Sequence, residues 1–148
     1  KKLAETVQRE RALLETTLEQ MPLAVIVGEA PSGKLLFANR QIEKVWRHPM
    51  LPSQGVDEYS MWKGFHADGR PYAPTDWPLA RAILGGETVV NEDTQVLRGD
   101  GTRGVLRLSA APVKDRTGRT IAGVVICEDR TEANRQEAER TALLLSQR

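Results

Sequence analysis

The chain has 148 residues, of which 40% are hydrophobic and 28% charged, the balance of one globular domain able to bury a core without disulfide or metal staples. Lys plus Arg number 21 against 20 for Asp plus Glu, a formal net charge of +1, so the basic excess of a nucleic-acid surface is missing and no nucleic-acid partner is expected. The single cysteine, Cys127, excludes an internal disulfide and a cysteine-based zinc site, and fits a reducing compartment, so the cytoplasm is the expected location.

No apolar run approaches the ~20 residues needed to cross a bilayer, and no signal peptide opens the chain. No membrane contact is therefore expected within it. The sequence opens Lys1-Lys2 and closes inside a helical pattern. It reads as a piece of a longer protein, whose remaining parts are expected to hold any membrane anchor and the output domain.

Residues 3–21 read as a helix. Leu3 lies four before Val7, and Val7, Leu14 and Met21 recur every seventh residue, the spacing of a coiled-coil seam. Glu10 and Thr17 occupy the other seam positions, so the seam is imperfect, and Pro22 ends the helix. Leu23-Ala24-Val25-Ile26-Val27 is a short apolar run bounded by Pro22 and Gly28 and reads as a strand. A turn at residues 30–34 leads to a returning strand, Leu35-Leu36-Phe37-Ala38. Asn39 is then read as the N-cap of a short helix bearing Ile42, Val45 and Trp46 on one face. Residues 47–75 are irregular, broken by proline and glycine, with Trp62 in their midst.

Asp76 is read as the N-cap of the next helix, with Trp77-Pro78 at its start, Leu79, Ala82 and Ile83 as its apolar face, and Gly85-Gly86 closing it. A strand to Arg98, the turn Gly99-Asp100-Gly101, and the alternation of Leu106, Leu108 and Ala110 with Arg107 and Ser109 predict a hairpin. After a second turn, residues 121–127 are apolar throughout, as a central strand requires. Thr131, or Asp129 with Glu132 three later, is the expected cap of a last helix. Its seam runs Asn134, Ala138, Thr141, Leu145. The order implies an α+β fold, an antiparallel sheet with helices packed on one face.

That order, and several local patterns, resemble the PAS family of signalling domains. Leu18 to Val25 resembles the passage from a leading helix into the first strand. Gly33 to Asn39 resembles the second strand, and Asp68-Gly69-Arg70-Pro71, Pro78 to Ala82 and Gly86-Glu87 resemble the middle of bacterial members. Arg98 to Arg103, Ala111-Pro112-Val113, Gly118 and Gly123 match the last hairpins, and Asp129-Arg130-Thr131-Glu132 resembles the Asp-x-Thr exit into the output helix. The resemblance covers residues 18–132. It implies a five-stranded antiparallel sheet cupping a pocket under short helices, within a receptor such as a sensor histidine kinase. The implied division is a signalling or dimerisation helix over 1–21, the PAS domain over 22–130, and an output helix over 131–148.

On this resemblance the pocket is assigned to Val25, Val27, Ile42, Trp46 and Trp62, with Trp77, Ile83, Leu106, Leu108 and Cys127 completing it. Asp129 and Thr131 are assigned to signal relay. Leu3, Val7, Leu14, Met21, Ala138 and Leu145 are assigned to a homodimer through the flanking helices. The reactive cysteine motif of flavin photosensors is absent, and neither His48 nor His66 falls on the helix where haem-binding relatives would want one. The cofactor is left open, and no metal is expected.

Gly99, Gly101 and Gly104 fit a dinucleotide fingerprint by count, but a real one opens a helix; here the motif lies between strands and reads as a turn. Asp57, Glu58, Asp68 and Asp76 crowd the irregular middle without an accompanying catalytic pattern, and no enzyme is expected. Two functions stay open: a sensor of a small-molecule ligand, or a dimerisation module whose pocket is filled by its own side chains.

Overall fold

The leading heptads form α1, Lys2–Gln20, in a computed structural model that describes residues 2–147. Beyond it come β1 (Ala24–Glu29), β2 (Leu35–Ala38), α2 (Gln41–Trp46), β3 (Gly64–Phe65), α3 (Pro78–Gly85), β4 (Val89–Leu97), β5 (Arg103–Lys114), β6 (Thr120–Asp129) and α4 (Thr131–Ser146). Short 3₁₀ turns cover Val56–Met61 and Pro74–Asp76. The strands form one antiparallel sheet in the order β2-β1-β6-β5-β4-β3. The sheet has one strand more than the expected five, because the two-residue β3 pairs with Val96 and Gln95 at the β4 edge.

The continuously apolar β6 lies between β1 and β5, as central strands do. Its alternation sends Gly123, Val125 and Cys127 inward, opposite Gly28, Ile26 and Ala24 of β1. Val25 and Val27 therefore face the outer side, opposite Ile126 and Val124. Their assignment to the pocket is corrected by this register, since a one-residue step moves a side chain to the other face.

Glycines bring α3 onto the sheet. A methyl group on Gly123 would stand 2.8 Å from Ile83 Cγ1, and one on Gly28 would stand 3.1 Å from Ile83 Cδ1. The helix thus rests against bare backbone, with Leu79, Ala80, Ala82 and Ile83 buried. Gly64 admits the Trp77 indole in the same way, since its Cβ would lie 2.5 Å from Trp77 Cη2.

Two expected caps differ. The α2 N-cap is Arg40 and the α3 N-cap is Trp77, neither with a side-chain capping bond. Asn39 bonds to Leu18, Leu23 and Val25, and Asp76 bonds back to His66 and Ala73 N. Thr131 is the first residue of α4 itself, behind Arg130 as N-cap. The glycines at 99, 101 and 104 span the β4–β5 hairpin, as read. Neither α1 nor α4 buries a single residue.

Candidate functional site

Between the sheet and the short helices lies an apolar cavity of about 40 Å³. Trp46, from the end of α2, Trp62, from the loop before β3, and Trp77, heading α3, share its wall with Leu108 and Cys127. These five belong to the set assigned to the pocket from the sequence. Ile42, Ile83 and Leu106 belong to the buried core around the cavity rather than its wall. Ile26, Leu35, Tyr59, Pro78, Leu79 and Val125 also line it, outside the assigned set. The alternation that moves Val25 outward is what brings Ile26 in.

The aromatic rings meet edge to face, the arrangement their quadrupoles favour. Trp46 and Trp62 have ring centroids 4.9 Å apart at 77°, and Tyr72 and Trp77 have theirs 4.9 Å apart at 66°. Trp46 and Trp77 stand 6.0 Å apart. Tyr59 donates its hydroxyl to the Gly33 carbonyl at 2.6 Å, and burial drives its pKa upward. Burial pushes the Cys127 thiol up to about 12, opposed only in part by the Trp46 indole. A thiol held that high is protonated and unreactive. The cavity wall holds no Asp, Glu, Lys, Arg or His.

The histidines lie elsewhere. His48 places Nδ1 2.7 Å from the Pro49 carbonyl and stacks near Trp62 at 5.3 Å. His66 packs on Tyr72 at 4.5 Å and sets Nε2 2.9 Å from Asp76 Oδ2. That oxygen also accepts from Ala73 N at 2.7 Å; the His66 bond first, and the Ala73 N–H second, hold the Asp76 pKa below its usual value. The other acids of the middle segment disperse: Asp68 pairs with Arg70 at 2.7 Å, and Glu58 accepts from Gln54 N at 2.8 Å. Among the described residues no cluster of His, Cys, Asp and Glu could hold a metal ion.

Two polar clamps join the flanking helices to the cup. At the C-terminal side, the Asp129 carboxylate accepts from Arg98 Nη1 at 2.9 Å and from Thr131 N at 2.9 Å. Thr131 Oγ1 accepts from Val105 N at 3.0 Å, so Asp129 and Thr131 both bond at the start of α4. At the N-terminal side, Asn39, 2% exposed, donates to Leu18 O and Leu23 O and accepts from Val25 N. Sequence reading missed the roles of Asn39 and Arg98. A polar or charged side chain between strands needs a buried partner, but nothing local names it. Leu3, Val7, Leu14 and Leu145, the residues assigned to a dimer seam, are 77%, 54%, 61% and 59% exposed. Ala138 is also exposed, and Met21 is half-buried just past α1.

A curled antiparallel sheet cupping a pocket under short helices, with an Asp-x-Thr clamp into a trailing helix, defines a class of signalling-module fold. The chain belongs to the PAS-fold family, whose profile matches residues 18–135. No curated protein matches it. Among solved structures it is similar to an RNA-binding Light-Oxygen-Voltage receptor, at 19% identity and TM-score 0.63 over 93% of this chain and 38% of that one. The chain thus spans well under half of that receptor's length. It is also similar to a LOV domain of an Erythrobacter litoralis blue-light activated histidine kinase, at 19% identity and TM-score 0.58 over 76% of this chain and 99% of that one. A PAS domain of an HTR-like protein from Haloarcula marismortui aligns at 15% identity and TM-score 0.56, over 86% of this chain and 98% of that one. Among the described residues no helix is long and apolar enough to cross a membrane.

Proposed function

We propose that this chain is the sensory input module of a larger signalling protein, in which a small molecule in the tryptophan-lined cavity biases the flanking helices. The observation that carries the reading is the pair of clamps. Each helix reaches the cup through side-chain hydrogen bonds, Asn39 to Leu18 O and Thr131 N to Asp129, while burying no residue of its own. Helices so attached change direction when the core behind the clamp repacks. A ligand drives that change only by favouring one packing over the other. The likeness to a histidine-kinase LOV domain supports a histidine kinase as the parent protein, with this chain binding and relaying rather than catalysing.

The exposed seams of α1 and α4 support a homodimer as the working state. Most helical stability comes from packing an apolar face, and burying Leu3, Val7, Leu14 and Leu145 between copies supplies that contact. A second reading, a dimerisation module with no ligand, draws on the cavity's small size, about 40 Å³ against the several hundred usual for a ligand pocket. The native mass and absorbance spectra of freshly purified protein separate the two. Mass above that of the bare chain supports the sensor; the bare mass with a dimer in sedimentation supports the second reading; a bare monomer overturns both.

A further inference from the structure

The short helix α2 stands between the cavity and both clamps. Its inner face is core, with Ile42 and Trp46 only 1% and 2% exposed, and Trp46 belongs to the cavity wall. In front of it stands Asn39, whose carbonyl accepts from Ile42 N at 3.2 Å while its side chain holds Leu18 and Val25. The rear of α2 is seated on the β4–β5 hairpin. There the Trp46 carbonyl accepts from Gly99 N at 2.9 Å, and Gly99 is the chain neighbour of Arg98.

The rear joint is close-fitting. Arg47 takes the left-handed conformation, φ 61 and ψ 31, which a residue with a side chain disfavours and which persists where the surroundings over-determine it. Those surroundings are the hairpin: Arg47 Nη1 donates to Asp100 Oδ2 at 2.8 Å and to Thr102 Oγ1 at 3.1 Å. The same Thr102 hydroxyl accepts from Arg98 Nε at 3.0 Å, so one oxygen joins the end of α2 to the arginine that grips Asp129. A Cβ on Gly99 would overlap the Arg47 carbonyl and stand 2.7 Å from His48 Cβ, so helix and hairpin touch backbone to backbone. Arg47 and Asp100 are each 41% exposed, and an ion pair that wet adds little stability. What the joint fixes is position.

We infer that α2 is the coupling bar of the module: a change of packing at Trp46 passes through Gly99 and Thr102 to Arg98 and the start of α4, and through Asn39 to the end of α1. This rests on the sensory reading above and names how the cavity governs the helices. Coupling between sites needs a rigid element that both of them bias. Helix α2 meets the cavity through Trp46 and the two clamps through the residues at its ends. Helix α3 also covers the cavity, but its Arg81 bonds to Glu87 and Glu92, which belong to neither clamp.

The test needs no ligand. Trp46→Phe vacates part of the space that fixes α2, and hydrogen exchange at the Thr131 amide, which Asp129 holds, reads the α4 clamp. Rates are taken relative to the slowest amides of the sheet, which removes the effect of global stability. The expected result is Thr131 exchange faster by about threefold or more, the scale of coupling between linked residues. Gly99→Ala forces hairpin and helix apart, so adding Trp46→Phe to it should leave the relative Thr131 rate unchanged. Where Trp46→Phe or Gly99→Ala folds poorly, Ile42→Val and Thr102→Val take their places, with the response reduced rather than abolished. A Thr131 amide indifferent to the change in α2, or a response of the same size with and without the hairpin joint, overturns the coupling bar. Either result leaves ligand binding in the cavity standing, since the native mass decides that separately.

Discussion

The Arg98 guanidinium meets the Asp129 carboxylate at 2.9 Å, with 5% of the arginine side chain exposed and 32% of the aspartate. The contact ties the end of the β4–β5 hairpin to the strand that leads into α4. The other oxygen of the same carboxylate takes the first amide of the helix, so one side chain fixes both the sheet corner and the helix start. Gly104 makes room for it, since a Cβ there would stand 2.8 Å from Arg98 Nη1 and 2.9 Å from Thr131 Oγ1. Arg98→Met keeps the buried stem and removes the charge. The expected loss is about 1–3 kcal/mol, below that of a fully buried pair because Asp129 keeps contact with water. Urea titration reads the loss, and hydrogen exchange reads faster opening of the first turn of α4. An unchanged urea midpoint would refute the clamp.

Asn39 does for α1 what Asp129 does for α4. Replacing it with alanine strands Val25 N and the Leu23 carbonyl and leaves Leu18 O with only the Met21 N–H. The expected destabilisation is about 2–4 kcal/mol, with accelerated exchange at the C-terminal turn of α1. Asn39→Asp retains the acceptor for Val25 N but loses both donated bonds. It should therefore loosen α1 while leaving the β1 amide protected, a pattern that simple unfolding does not produce.

Much of the sheet was legible because its signals are local. The alternation over Leu106, Leu108 and Ala110, and the glycine turns, declare a hairpin without help from elsewhere. The facing of β1 was not legible, because Leu23 to Val27 is apolar throughout and offers no polar residue to mark an outer side. Both of its faces carry apolar side chains, Ile26 inward and Val25 and Val27 outward. Gly28 carried the missing clue, since it lies where α3 comes down. Asn39 and Asp76 stand where capping residues stand, and local reasoning assigns them that role. Buried backbone groups at Leu18, Leu23 and Val25 compete for Asn39, and Ala73 N with His66 competes for Asp76. Arg98 shows the same limit: its partner lies 31 residues away, and only the fold brings it near.

Asp76 gives the protein an acid-sensitive contact at the start of α3. An unperturbed aspartate titrates near ~3.9, and the His66 bond, followed by the Ala73 N–H, holds Asp76 lower in the folded state. The stabilisation is therefore complete above the unfolded value and is lost as pH falls through the lower folded value. Asp76→Asn should lower the melting temperature at neutral pH and change it progressively less as the pH is brought below about 4. Melting curves of both proteins across that range check the sign. A variant deficit that grows in acid would show that Asp76 is not the group held low.

The seat of α3 on bare backbone can be tested by filling it. Gly123→Ala places a methyl group 2.8 Å from Ile83 Cγ1 and 3.1 Å from Leu79 Cδ1, inside normal contact on both sides. Gly123 is not among the glycines with positive φ, so the effect is steric rather than conformational. Overpacking of this kind costs about 1–3 kcal/mol. Ile83→Ala alone leaves a cavity costing about 2–5 kcal/mol. In the double variant the new methyl occupies part of the space that Ile83 vacates, so the combined loss should fall short of the sum by about 1 kcal/mol or more. Because Trp77 heads the same helix, the Gly123→Ala protein should also show a shifted Trp77 indole resonance, and adding Ile83→Ala should return that resonance toward its original position. Strict additivity with an unmoved indole would mean that α3 can lift from the sheet without disturbing the cavity it covers.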